Sequence, residues 1–126
     1  MKQKIQTELA PSPLGCYSQA IAVEDTLYLA GQIGLDPVTG NLAEGTDAQL
    51  KQIFLNMTAV LQAAGSDLNH VVRLTVFLKD YPTDRSKLDA VMQQFFEAPF
   101  PARSTIGVAA LPRDACVEVE GIAIRK

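Results

Sequence analysis

The sequence has no tryptophan, one histidine and two cysteines among its 126 residues. The single histidine and the widely separated Cys16 and Cys116 provide no cluster of ligands at zinc spacing, so we predict no metal site. Because the cysteines form no C-x-x-C pair, we expect them to be small buried side chains without a disulfide between them. No basic cluster interleaved with aromatic residues is present and the net charge is -3, which argues against a nucleic-acid partner.

Long apolar runs are also missing. No stretch approaches the roughly 18 consecutive apolar residues of a membrane-spanning helix. The lysines near the N-terminus are not followed by the apolar run of a signal peptide. We therefore expect a cytoplasmic protein that does not bind a membrane. The composition, 48% hydrophobic and 20% charged, is typical of a globular fold, and the length favours one domain over residues 1–126.

The periodicity of the apolar residues predicts two helices. Residues 46–64 carry apolar side chains at helical spacing, with Thr46 and Gln49 as a capping box and Gly65 as the terminator. A second helix is predicted from about Thr83 to the "APFP" segment, whose prolines cannot continue it. Strands are predicted within residues 17–30, on either side of a turn at Glu24 and Asp25, and over residues 71–80, 102–108 and 116–125.

This order of elements, β-β-α-β-α-β-β, predicts an α/β protein of the α+β type with a mixed sheet. Right-handed crossovers would place both helices on one face of that sheet. The last strand has apolar residues on both sides, so we expect the face without helices to be covered by further copies of the chain in a symmetric homo-oligomer. A loop is predicted to begin at Gly31, in "GQIGLDPVTGN".

Three charged positions are candidates for a functional site. Arg103 begins a predicted strand in otherwise apolar surroundings, where a guanidinium is either solvated or meets an anion. Glu118 and Glu120 share one face of the last strand at a spacing of about 7 Å, so one of them has a cationic partner, stays in water or titrates upward. Arg103, Arg73 and Arg125 are all candidate partners, and the sequence does not choose among them.

Four segments in order resemble the RidA (YjgF) family of reactive enamine/imine deaminases over essentially the whole chain. They are "APSPLGCYSQAI", "LAGQIGLDPVTGNL", "LKQIFLNMTAVLQAAGSDLNHVVRLTVFLKD" and "FPARSTIGVAALPRDACVEVEGIAIRK". The resemblance implies a chorismate-mutase-like fold and a homotrimer with ligand clefts between subunits. It also implies hydrolysis of reactive intermediates such as 2-aminoacrylate, 2-iminopropanoate and 2-iminobutanoate to 2-oxo acids and ammonia, without a cofactor, as metabolite damage control.

The resemblance also implies roles for particular residues. Arg103, in "PARS", corresponds to the arginine that binds the substrate carboxylate, and Glu118 corresponds to the glutamate that handles the attacking water. Tyr17 corresponds to a tyrosine that lines the cleft. Gly31 corresponds to a loop glycine that lets the backbone approach the ligand, and Thr105 lies in the substrate-binding segment beside Arg103.

Three positions depart from the pattern of the best-known members. Thr105 stands where they often have cysteine, Ala30 where they commonly have serine, and Cys16 where they commonly have proline. These changes bear on substrate preference and rate more than on the type of reaction. Two other functions stay open on the sequence: a non-catalytic trimer that binds small carboxylates in a regulatory role, and an endoribonuclease, against which the acidic charge balance argues.

Overall fold

The protein folds as one six-stranded sheet with two helices, in a computed structural model that describes residues 1–126. The helices are α1 (Thr46–Ala63) and α2 (Tyr81–Phe95). Short 3-10 turns at Leu68–His70 and Pro112–Asp114 precede the fourth and sixth strands. The strands are β1 (Lys2–Ile5), β2 (Ala20–Val23), β3 (Thr26–Gln32), β4 (Val71–Leu78), β5 (Ala102–Gly107) and β6 (Val117–Ile124).

The order of strands across the sheet is β1-β2-β3-β6-β4-β5. Only β4 and β5 run parallel and all other pairs are antiparallel, which confirms the mixed sheet. Strand β1 was not predicted, because "KQKI" has a single apolar residue. Its exposed lysines suit an edge strand, where charge discourages pairing with other chains.

Both helices pack on one face of the sheet, as the sequence predicts. Phe54 of α1 stands 5.5 Å from Phe95 and 5.2 Å from Phe96 between ring centroids, which joins the two helices over the sheet. One continuous core contains the apolar face of both helices together with inward-facing residues of the strands. The strand residues of this core are Ile5, Ala20, Ala22, Leu27, Leu29, Val71, Leu74, Val76, Leu78, Val117, Val119 and Ala123.

The predicted capping box of α1 is wrong. The N-cap position is Gly45, at a φ of 86° that favours glycine, and no side chain caps the helix. The Thr46 hydroxyl instead donates to Asp84 Oδ2 of α2 at 2.6 Å. Gln49 Oε1 accepts from the backbone N–H of Cys116 at 2.8 Å. Both side chains therefore form tertiary hydrogen bonds, which attach α1 to α2 and to the start of β6.

The two cysteines are free, as predicted, but only one of them is partly buried. Cys116 is half-buried, whereas Cys16 is exposed, so the prediction of a buried side chain is wrong for Cys16. Cys16 belongs to the segment between β1 and β2 that borders the site described below. Neither helix is long and apolar enough to cross a membrane.

The second face of the sheet carries no helix and exposes apolar side chains. Tyr28 is 49% exposed, Ile106 44%, Val23 39% and Ile124 37%. Even-numbered residues of β6 point to this face, because their odd-numbered neighbours belong to the core. Glu118 and Glu120 are therefore on the face away from the helices.

Candidate active site

A cleft of about 230 Å³ lies where β3, β6 and the segment that precedes β2 meet. Tyr17, Gly31 and Glu118, three of the predicted site residues, line it together. Its other walls are mostly apolar or uncharged. They are formed by Pro11, Ser12, Leu14, Gln19, Gln32, Ile33, Leu35 and Pro112, with Arg113 as the only other charged residue.

The segment after β3 is held against α1, which places Ile33 and Leu35 in the cleft wall. Asn56 Nδ2 of α1 donates to the backbone oxygen of Leu35 at 2.9 Å. Gly34 lies so close to α1 that a Cβ atom built on it would stand 2.7 Å from the Cα of Gln49. Any larger residue at position 34 would therefore move this wall away from the helix.

Glu118 is half-buried in the cleft, opposite Phe77 of β4 in the sheet register. Burial raises the pKa of its carboxyl group above the ordinary value of 4.5, and the negative charge of Glu120 raises the pKa further. A raised pKa makes the carboxylate a stronger base near neutral pH. The sequence left three possibilities for this pair of glutamates: a cationic partner, exposure to water or a raised pKa. In the structure the pKa of Glu118 is raised and Glu120 is exposed to water.

None of the three candidate arginines forms an ion pair with Glu118. Arg73 Nη2 donates to the hydroxyl of Ser104 at 2.9 Å. The Arg125 side chain donates to backbone oxygens at the ends of α1 and β2. No ion pair of the chain includes Glu118, and the absence of a cationic partner is consistent with its raised pKa.

Arg103 lies in a different place, beside α2. Its Nη1 forms an ion pair with Asp89 Oδ1 at 2.7 Å and contacts Met92 Sδ at 3.2 Å. Arg103 and Thr105 together line a shallow depression with Tyr81, Arg85, Ser86 and Asp89. The Arg103 side chain is 28% exposed, and most of its N–H donors remain available to a ligand.

The two groups of site residues occupy opposite faces of the sheet. Arg103 pairs in register with Leu74, a fully buried residue of the helix side, whereas Glu118 pairs with Phe77 on the open side. Side chains of one strand alternate between faces, so this separation is fixed by register. The structure therefore brings Tyr17, Gly31 and Glu118 together in one protomer, and keeps Arg103 and Thr105 apart from them.

Gly31 lies directly against the Glu118 side chain. The residue belongs to β3, at the irregularity in its pairing with β6, so the prediction that a loop begins here is wrong. A Cβ atom built on Gly31 would stand 2.9 Å from Glu118 Oε2 and 3.2 Å from its Cγ. Glycine is needed at this position because the carboxylate packs directly over its Cα.

We predict that Gly31→Ala moves the Glu118 carboxylate and lowers any activity that depends on it by about a hundredfold, since displacements near 1 Å cost that much in positioned catalysis. The obstructing group is the end of a flexible side chain, so the fold should tolerate the change. Thermal unfolding should shift by only about 3–6 °C, equivalent to roughly 1 kcal/mol in a chain of this size. Full activity in the variant would show that the carboxylate position is unimportant.

The N-terminal wall of the cleft is held by Gln19, which the sequence did not single out. Its Nε2 donates to the backbone oxygens of Thr7 at 3.0 Å and Pro11 at 2.9 Å, and its Oε1 accepts from the backbone N–H of Thr7 at 2.8 Å. The buried amide thereby fixes the segment that carries Tyr17. The available signal was a polar residue directly before the apolar "AIAV" run.

Tyr17 is half exposed at the mouth of the cleft, and its hydroxyl accepts from the backbone N–H of Leu14 at 3.2 Å. Arg113, another cleft residue that sequence patterns did not mark, precedes β6 in the 3-10 turn. No group of three or more His, Cys, Asp or Glu side chains lies close enough together to hold a metal ion.

Comparison with known proteins gives one consistent result. The profile of the family described as endoribonuclease L-PSP matches residues 7–125. The chain is 44% identical to the 2-iminobutanoate/2-iminopropanoate deaminase of Dermatophagoides farinae, over 98% of this chain and 96% of that protein. It is 42% identical to the human protein of the same name, over 99% and 91%. The crystal structure of RidA from Psychrobacter sp. PAMC 21119 is 45% identical and superposes with a TM-score of 0.94, over 97% and 98%.

Proposed function

We propose that this chain, which belongs to the endoribonuclease L-PSP family, also called the YjgF/RidA family, is a 2-iminobutanoate/2-iminopropanoate deaminase. It hydrolyses reactive 2-imino acids and their enamine tautomers to 2-oxo acids and ammonia. The observation that carries the proposal is the full-length similarity to deaminases at 41–44% identity. The raised pKa of the Glu118 carboxyl group in a small, largely apolar cleft supports it.

We further propose that the complete site forms between subunits of a homotrimer. Arg103 and Glu118 lie on opposite faces of the sheet, so a substrate held by both must bind two different chains. β5, which carries Arg103, is an edge strand of the sheet. The exposed apolar side chains on the open face provide the surface that such an assembly would bury.

Within that site, Arg103 of one subunit binds the substrate carboxylate through two parallel hydrogen bonds from its planar guanidinium. Thr105 follows on the same face of β5 and lies beside the bound carboxylate. Glu118, Tyr17 and Gly31 of the neighbouring subunit surround the imine carbon. No cofactor takes part in this scheme.

The chemistry requires one base that also returns its proton. Glu118 accepts a proton from a water molecule as the water oxygen bonds to the imine carbon and the C=N electron pair moves to nitrogen. The protonated carboxyl group returns that proton to the nitrogen, which gives a carbinolamine. Glu118 then accepts the proton of the new hydroxyl group and passes it to the nitrogen as the C=O bond forms, the C–N bond breaks and ammonia leaves. One water is consumed and one ammonia is released, so a single carboxyl group with a pKa nearer neutrality serves both steps.

Two alternative functions, carboxylate binding without catalysis and RNA cleavage, would give different experimental results from imine hydrolysis. A trimer that only binds small carboxylates would use Arg103 without needing the base. The word endoribonuclease in the family description raises RNA cleavage, but the cleft has a single cation, Arg113, and the chain has a net charge of -3. RNA binding normally relies on several lysines or arginines that neutralise phosphates.

The two free cysteines fit a reducing compartment, and we propose that the protein is located in the cytoplasm.

The deaminase proposal predicts turnover of 2-iminobutanoate formed in situ by a threonine dehydratase. Semicarbazide traps imine that has not been hydrolysed, so the purified protein should lower the trapped product and raise the rate of ammonia release above the spontaneous rate. Light scattering should give the mass of a trimer, about three times the 13.6 kDa chain. Binding of 2-oxobutanoate without any turnover would favour the regulatory function and contradict the proposal.

A further inference from the structure

Arg113 is the one cation of the Glu118 cleft. Among the residues that line this cleft, only Arg113 and Glu118 carry charge. Arg113 belongs to the same chain as Glu118, Tyr17 and Gly31, so it is present in this half of the site whatever the neighbouring subunit contributes. The reaction scheme above gives it no task.

The guanidinium of Arg113 has no carboxylate partner in the protein. None of the ion pairs of the chain includes it. Its single hydrogen bond runs from Nη2 to the backbone oxygen of Gly40 at 3.4 Å, which is long for an N–H···O contact. By contrast, Arg103 is already paired with Asp89. Arg113 is thus the anion-binding group that the cleft side itself provides.

The backbone holds Arg113 in an uncommon conformation. Arg113 and Asp114 have φ values of 58° and 55°, in the left-handed region that disfavours residues with a side chain. Asp114 forms an ion pair with Lys79 at the end of β4, and its N–H donates to the Leu111 oxygen at 3.2 Å. Such positions cluster at ligand-binding sites, where surrounding contacts maintain them.

We propose that Arg113 is a specificity-determining residue that binds the distal end of the substrate side chain, and that the site also accepts imino acids whose side chain ends in a carboxylate. This proposal rests on the deaminase function. Arg103 of the neighbouring subunit binds the α-carboxylate common to all substrates, the apolar walls accommodate the methylene groups, and Arg113 receives the second carboxylate. The cleft volume of about 230 Å³ accommodates an imino acid of this size.

The test compares two substrates in three proteins. 2-Iminoglutarate and 2-iminobutanoate are generated by oxidases from glutamate and 2-aminobutanoate, with catalase present. They are offered to the wild type, to Arg113→Gln and to Lys51→Gln, a control that removes the same charge from an exposed position of α1. We expect Arg113→Gln to lower kcat/KM for 2-iminoglutarate by about tenfold or more, as loss of a hydrogen bond to a charged group does. The rate with 2-iminobutanoate should change by less than about twofold, and Lys51→Gln should alter neither.

Binding of the stable products separates this proposal from the deaminase proposal. Calorimetry should show that Arg113→Gln lowers the affinity for 2-oxoglutarate by about tenfold and leaves the affinity for 2-oxobutanoate unchanged, even if the wild type turns over no imine. That result would support Arg113 while the deaminase proposal fails. Equal losses for both ligands would show that Arg113 binds the common α-carboxylate, and unchanged affinity for both would show that it binds neither. Either result overturns the proposal.

Discussion

Replacing Glu118 by glutamine is expected to lower kcat for 2-iminobutanoate by about a hundredfold to ten-thousandfold, the usual contribution of a positioned general base. Glutamine keeps the size of the side chain and one hydrogen-bonding oxygen but cannot take a proton from water. Substrate binding depends on Arg103 in the proposed site, so KM should change much less than kcat. Steady-state kinetics with a titrated amount of imine measures both parameters.

The pH dependence of the wild type provides an independent readout of the same group. Burial and Glu120 raise the pKa of the Glu118 carboxyl group above 4.5. The base must be ionised, so kcat/KM should rise with pH through that raised pKa. Glu120→Gln removes one of the two causes and should shift the acidic limb to lower pH while activity at neutral pH is retained. An acidic limb that does not move with Glu120→Gln would assign the titration to another group.

The free energy of unfolding should fall as the pH rises, whereas activity should rise. The pKa of Glu118 is higher in the folded than in the unfolded chain, so the folded state binds more protons and loses stability as the pH rises through that interval. At neutral pH the ionised carboxylate therefore costs folding free energy, which Glu118→Gln relieves. The variant should unfold at the same temperature as the wild type or higher. A large fall in its unfolding temperature would mean that lost activity reflects misfolding.

The fold was predictable where one apolar period governed a whole segment. The helical spacing over residues 46–64 and the alternation over residues 71–80 correspond to α1 and β4 within a residue or two. Their side chains face one core, and the period of two or 3.6 follows directly from that geometry. The alternation along β6 also predicted an exposed apolar face. A strand with only one covered face usually has polar residues on the other face, but β6 has Ile122 and Ile124 there.

The errors arose where tertiary contacts outweighed local preferences. Thr46 and Gln49 have the spacing of a capping box, but Asp84 and the backbone of Cys116 bind their side chains instead. Strand β1 has almost no apolar signal, since an edge strand needs only backbone pairing with β2. Gly31 looked like the start of a loop, yet it continues β3, and glycine is needed there because the Glu118 carboxylate packs over its Cα.

The sequence identified residues of the candidate site but not their positions relative to the sheet. Sequence resemblance marked Arg103 and Glu118, but no local pattern indicated that the parallel pairing of β4 with β5 would put Arg103 on the helix side. That position depends on register across the sheet, which short-range periodicity does not specify. Gln19 and Arg113 were missed for a related reason, since their importance comes from the walls they form and not from neighbours in sequence.

Arg103→Ala is expected to lower kcat/KM by well over tenfold, because a bidentate contact with a carboxylate contributes more than one charged hydrogen bond of about 1.5–3 kcal/mol. The loss should appear mainly as a higher KM, since the carboxylate is held equally in the ground and transition states. Arg103→Lys keeps the charge without the planar fork and should fall between the wild type and the alanine variant. Folding should be preserved, because the Asp89 carboxylate that loses its partner is 63% exposed.

The Glu118→Gln and Arg103→Ala variants together test whether each site uses two chains. Glu118→Gln chains retain Arg103, and Arg103→Ala chains retain Glu118. If the sites lie between subunits of a homotrimer, refolding the variants as an equal mixture leaves about one quarter of the sites with both residues intact. Assayed with substrate well below KM, the mixture should then regain about a quarter of wild-type activity, whereas each variant refolded alone regains less than about a tenth. A site built within one chain gains nothing from mixing, because every chain lacks one of the two residues, so an inactive mixture of refolded trimers would refute the shared site.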